Sequence, residues 1–238
     1  MTESDTRQAK LADVPATASA AISLANVKPI LRGYLHLFAA LAAVAGTALL
    51  LVRSEADRAK QLSLLVYGIA MVWLFGVSAL YHIPRWPAGR RALLRRLDHA
   101  NIFVMIAGTY TPLVFNLMEG IWRVALLATV WILALFGVVA ENMLGVARRW
   151  LTAALYVAVG WVAIIALPQL LAVIGVRGLA LIGAGGLLYS LGALTYASRR
   201  PRLWPRIFGY HELFHVLVVA ANGVFFLTVL TFVLPRHT

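Results

Sequence analysis

Long apolar stretches separated by short polar segments dominate the chain, and their lengths set the first expectation. Runs of roughly 17 to 26 residues, enough for a helix to cross the hydrocarbon core of a bilayer, can be drawn at Gly33 to Val52, Leu62 to His82, Asp98 to Met118, Ile121 to Ala140, Leu151 to Ile174, Leu179 to Ala197 and Gly209 to Leu234. Backbone exposed to lipid must satisfy its own hydrogen bonds. The pattern therefore predicts an all-α integral membrane protein, a bundle of seven transmembrane helices. Only Glu119-Gly120 separates the third span from the fourth, so a tight turn is expected there, with Arg123 snorkelling to the interface.

Small residues in Ala39-Ala40-Leu41-Ala42-Ala43 and Gly183-Ala184-Gly185-Gly186 would let neighbouring helices approach closely. Pro112 and Pro168 are expected to kink their spans, with Thr109 and Thr111 helping to satisfy the freed backbone. Residues 1–27 mix Ser, Thr, Ala, Lys and Asp without the basic start and apolar stretch of a secretory signal, and read as a mobile cytosolic tail. Residues 28–238 form one seven-span domain.

Composition agrees: 62% of the 238 residues are hydrophobic and 13% charged, far from a soluble domain. A net charge of +12 would suggest nucleic acid in a soluble protein. Here the basic residues occupy the connections between spans, which makes them topology signals and leaves no nucleic-acid reading. With the N-terminus inside, Arg7, Lys10, Lys28, Arg32, the five arginines from Arg85 to Arg96, Arg148, Arg149, Arg199, Arg200, Arg202 and Arg206 face the cytoplasm, 15 of the 21 basic residues. Arg53, Arg58, Lys60, Arg123, Arg177 and Arg236 take the other side. The expected orientation is N-terminus cytoplasmic and C-terminus outside, in a multi-pass bacterial inner membrane protein. The Arg85 to Arg96 cluster is most simply topogenic, with docking of an anionic headgroup as the sharper alternative.

The polar residues inside the spans carry the chemistry, because ionisable groups at membrane depth are costly and mark functional sites. His211-Glu212-Leu213-Phe214-His215 places two imidazoles on one helix face at i and i+4, a spacing that can grip one metal ion. The seven-span topology brings His82 at the end of the second span, Asp98 at the start of the third, and His211 and His215 to the same membrane layer. Ser78 lies one turn from His82, about 6 Å deeper. The chain has no Cys, so a metal site must use His, Asp or Glu with water. Each residue also has a plainer role: Asp98 as the N-cap of the third span, Ser78 bonded back to the Leu74 carbonyl, and His36 as a structural histidine or competing ligand. His99 is expected to face away from Asp98. Glu212 completes the zincin pattern H-E-x-x-H, in which the Glu is the general base. It could equally pack on a neighbouring helix or pair with Arg206.

The order of these motifs resembles the hemolysin III branch of the superfamily that includes the progestin and adiponectin receptors. The likeness rests on Lys28-Pro29 with Leu31-Arg32-Gly33, Ser78-Ala79-Leu80-Tyr81-His82, Arg96-Leu97-Asp98-His99 running into Ile106-Ala107-Gly108-Thr109-Tyr110-Thr111-Pro112, and His211-Glu212-Leu213-Phe214-His215. It implies Zn²⁺ held by His82, His211 and His215, with Asp98 reaching the metal through water. The related alkaline ceramidases share a Ser, Asp and three-His constellation. The resemblance therefore implies a zinc-dependent hydrolase acting on a membrane lipid amide or ester, with Asp98 and Ser78 in catalytic roles. A receptor or sensor with a structural zinc is the alternative. A membrane-lytic activity follows from the family name alone, since no ring of charges suggests a conducting lumen. The chain departs from the resemblance at Phe225, where some members carry a further His.

Overall fold

The computed structural model describes residues 33–54, 57–144, 149–201, 204 and 207–235. The expected tail, the Lys28-Pro29 motif and Arg206 lie outside these residues. The described chain is helical: α1 (Tyr34–Arg53), α2 (Arg58–His82), α3 (Ala88–Leu117), α4 (Gly120–Leu144), α5 (Arg149–Gly160), α6 (Leu167–Ser198) and α7 (Tyr210–Thr228). A 3₁₀ turn, Val162–Ala166, joins α5 to α6, and a π-helical turn, Val229–Val233, prolongs α7. No β-strand occurs among the described residues.

The seven passes are all present, but the fifth and sixth share helices in an unexpected way. Residues 149–198 run nearly continuously, yet Gly175 breaks α6 with φ 63° and ψ −176°, a backbone open to glycine and strained for other residues. The chain doubles back there. Trp161 Nε1 donates to Ser190 Oγ at 2.9 Å across the two arms, and Ala153 packs with Ala193 and Ala197. Pro168 does not kink the fifth span from within. The helix gives way just before it, and Pro168 falls in the first turn of α6, where a missing N–H is harmless.

A helix break inside a bilayer needs partners for its freed backbone groups. Tyr110 of α3 supplies both: its hydroxyl donates to the Gly160 carbonyl at 2.7 Å and accepts from the Ala163 N–H at 2.8 Å. The helix α3 itself runs through Pro112. Thr109 and Thr111 donate to the Met105 and Ala107 carbonyls, and Asn116 to that of Pro112. Arg123 reaches back toward the turn that joins the third and fourth spans. It folds back so that Nε donates to the Met118 carbonyl at 2.7 Å, and its guanidinium sits over the Phe115 ring, closing the C-terminal end of α3.

The core lies along α2 and α3, where Leu64, Tyr67, Phe103, Met105 and Ala107 are fully buried. Apolar side chains on the outer faces, such as Phe38, Leu41, Ile132 and Leu135, are exposed as lipid-facing residues should be. Close helix approach uses mostly different small residues from those expected. Added Cβ atoms would meet Thr47 at Gly68, Ala70 at Gly108 and Phe103 at Gly137. Of the Ala39 to Ala43 stretch only Ala43 is buried, whereas Gly185 does pack on Phe225.

Candidate metal centre

Two helix ends meet at one end of the bundle and carry the imidazoles with them. His82 is the last residue of α2, and His211 and His215 occupy the first two turns of α7. The start of α7 is fixed by its own sequence. The backbone N–H of Gly209 donates to Glu212 Oε2 at 2.9 Å, a side-chain cap that anchors the turn bearing His211. One Glu212 oxygen is thus committed to the start of its own helix, and the alternative of pairing with Arg206 falls on a residue outside those described.

His211 Nε2 and His82 Nε2 face each other at 3.2 Å. The ring centroids of His82, His211 and His215 are separated by 4.8, 5.1 and 4.5 Å. One nitrogen from each lies within 4.8 Å of the others, an arrangement that could hold a metal ion. Tetrahedral Zn–N bonds of about 2.0 to 2.1 Å place ligand nitrogens about 3.3 Å apart. The closest pair already meets this, and rotamer adjustments of the third imidazole would close the rest. His82 and His215 are buried and His211 is half-buried, so the donors are shielded from bulk water. The donor set, imidazole nitrogen beside a carboxylate and without thiolate, is of the kind that takes a first-row transition metal.

Asp98 Oδ2 lies 3.6 Å from His82 Nε2, and Ser78 lines the same chamber as Asp98. Neither takes the plainer role open to it. The helix α3 starts ten residues before Asp98, with Pro87 at its N-cap, so Asp98 sits in the third turn instead of capping a span. Leu, Ala and Arg in the segment before it are strong helix formers, which lengthens α3 beyond the apolar run. All five expected site residues, Ser78, His82, Asp98, His211 and His215, thus come together. His36 is adjacent without joining the ligand set. Its ring stacks on His215 at 3.9 Å and 14°, and meets Phe75 edge-on.

A chamber opens from this cluster into the bundle. Ser78, Asp98 and His211 line one end, and apolar residues such as Ile102, Ile106, Val218 and Phe225 line the interior. A second cavity shares Tyr110, Gly160, Trp161 and Phe225 with it and continues to Ile164 and Leu167 at the broken fifth span. Both are exposed on the outer surface.

His99 does not turn away from the site as expected, but lines the same chamber. Its Nδ1 is 3.0 Å from Glu141 Oε1 on α4, its Nε2 is 3.4 Å from the Tyr196 hydroxyl on α6, and its carbonyl accepts from Tyr156 on α5 at 3.0 Å. Thr152 donates to the second Glu141 oxygen at 3.1 Å. None of Glu141, Thr152, Tyr156 or Tyr196 was singled out by the sequence. Glu141 directly follows the fourth apolar run, where a lone carboxylate reads as the start of a loop.

Comparison with known proteins agrees with the motifs. Residues 24–226 match the family described as "Haemolysin-III related". The chain is 34% identical over 172 residues to the protein named Hemolysin-3 of Bacillus cereus, covering 71% of this chain and 74% of that one. It is 33% identical over 168 residues to a Hemolysin-3 homolog of Bacillus subtilis (strain 168), covering 71% and 76%. It is 26% identical over 199 residues to the human Monocyte to macrophage differentiation factor, covering 80% and 78%.

Proposed function

Because this chain belongs to the haemolysin-III-related family, a branch of the progestin and adiponectin receptor superfamily of multi-pass membrane proteins, we propose that it is a zinc-dependent hydrolase cleaving a lipid amide or ester from within the bilayer. The observation that carries this reading is the position of the imidazole cluster at the mouth of an apolar chamber inside a membrane bundle. The expected N-inside orientation puts that mouth at the cytoplasmic leaflet.

In this reading His82, His211 and His215 hold the zinc. A zinc ion bound there would supply Lewis acidity and bring the pKa of a water molecule down to about 7. Asp98, 3.6 Å from His82 Nε2, orients the attacking water and takes its proton. Ser78, which lines the same end of the chamber, donates its hydroxyl to the carbonyl oxygen where negative charge develops. The apolar walls seat the acyl chain and keep bulk water from the reacting bond.

The test uses the purified full chain in lipid nanodiscs, loaded with zinc and offered a panel of lipid amides and esters with mass-spectrometric readout. The reading expects hydrolysis of at least one class, reduced about 10²- to 10⁴-fold by Asp98→Asn with zinc content unchanged. Stoichiometric zinc with lipid binding but no turnover would replace the hydrolase with a sensor in which the metal is structural. The names of the Bacillus relatives raise a lytic reading as well, which liposome leakage surviving His211→Ala would favour.

A further inference from the structure

The buried network beside the metal centre points to how the chamber chooses its ligand. Glu141 is 4% exposed and has both carboxylate oxygens engaged, one by His99 Nδ1 and one by the Thr152 hydroxyl. Burying a carboxylate among membrane helices is expensive unless it does something that apolar packing cannot. What it does here is fix a tautomer. With Nδ1–H donating to Glu141, a neutral His99 leaves Nε2 as a bare acceptor. The Tyr196 hydroxyl, 3.4 Å away, is then the donor to Nε2. Its hydrogen is committed, so the Tyr196 oxygen offers only lone pairs to anything else.

That oxygen belongs to a residue lining the chamber shared by Ser78, Asp98 and His211. The Tyr196 ring lies 6.4 Å from that of His211 and 5.4 Å from that of Phe214, and the Arg149 guanidinium covers it at 5.5 Å. The ring is thus held from several sides, beside one of the imidazoles of the candidate metal centre. We infer that Tyr196 is a ligand-selecting residue whose hydroxyl oxygen accepts a hydrogen bond from the N–H beside the reacting carbonyl, so that the chamber prefers lipid amides to matched esters. Tyr196 touches the ligand, whereas Glu141 and His99 are positioning residues that act through it. The inference rests on the lipid-hydrolase reading for the identity of the carbonyl, but the selection itself is a binding property.

The experiment compares two fluorescent lipids with the same acyl chain and headgroup, joined by an amide or an ester. Binding is measured on the zinc-loaded full chain in nanodiscs with Asp98→Asn as a common background, so that neither lipid is consumed. Turnover is followed in parallel on the unaltered chain. The amide should bind about fivefold more tightly, within the range of about two- to thirteenfold for one hydrogen bond. Tyr196→Phe should bring the two affinities within about twofold, leaving ester binding and zinc content unchanged. Glu141→Gln, which keeps an accepting oxygen for His99, should retain the preference that Glu141→Ala loses. No amide preference, or a preference that survives Tyr196→Phe, overturns the assignment even if both lipids are hydrolysed. A preference abolished by Tyr196→Phe without any turnover supports the assignment and counts against the hydrolase.

Discussion

Glu212 separates two accounts of the same five residues, because a zincin base and a helix cap respond oppositely to one conservative change. The carboxylate is fully buried, and its Oε2 accepts from the Gly209 N–H at 2.9 Å. Glu212→Gln keeps an oxygen for that bond and loses the favourable interaction of negative charge with the helix N-terminus, about 0.3 to 1 kcal/mol. Glu212→Ala removes the cap itself, about 0.5 to 2 kcal/mol. The turn released carries His211, with His215 one turn beyond, so this energy is drawn from the organisation of two of the three ligands. At 1.4 kcal/mol per factor of ten, zinc affinity should fall about two- to fivefold in Glu212→Gln and up to about thirtyfold in Glu212→Ala. Hydrolysis by the zinc-saturated variants should stay within about threefold of the unaltered chain, whereas loss of a general base removes about 10² to 10⁴. Competition with a chromophoric chelator gives the affinity, and lipid turnover at saturating zinc gives the rate. A fall of about a hundredfold or more in the rate of Glu212→Gln at full zinc occupancy would refute the cap reasoning and restore Glu212 as the base.

Tyr110→Phe removes both partners of the broken fifth span and should destabilise the bundle by about 1 to 3 kcal/mol, measured by reversible unfolding in mixed micelles; a change below about 0.5 kcal/mol would mean the break is satisfied otherwise. Gly108→Ala would set its Cβ 2.5 Å from that of Ala70. Neither backbone can yield without parting α2 from α3, so a loss of about 1 to 3 kcal/mol is expected together with weaker zinc binding. A neutral result would show that the contact is slack. The chain has no Cys, so single introduced thiols report topology directly. Arg90→Cys should react with an impermeant maleimide only after spheroplasts are permeabilised, and Glu119→Cys before, the reverse result inverting the bundle.

Length and hydropathy were enough to find the seven passes, because a bilayer imposes one length on every span. They were poor at helix ends, where helix propensity and caps decide. The helix α3 extends back to Ala88 since Arg and Leu favour helix as strongly outside the apolar run as within it. The site was legible where topology alone sets depth: three span ends on one side placed Ser78, His82, Asp98, His211 and His215 together without any contact being known. Rotation of a helix about its axis is not visible in one sequence with apolar residues all round. Hence His99 was misjudged as facing away, and Glu141 went unnoticed although the two side chains lie 3.0 Å apart. The zincin pattern shows a related limit: a motif specifies spacing along a helix, whereas the contact that one Glu212 oxygen makes is with the N–H of Gly209 at the helix start.

The account depends on a metal held by residues from two helices, and the metal content of the purified chain tests that most directly. Elemental analysis of chain expressed with zinc available, then stripped of loosely bound ions, should find about one zinc per chain. His82→Ala and His211→Ala should each lose most of it, while Asp98→Asn retains it. An unaltered chain without zinc, or a His211→Ala chain holding as much as the original, would contradict the three-imidazole centre and with it the proposed chemistry.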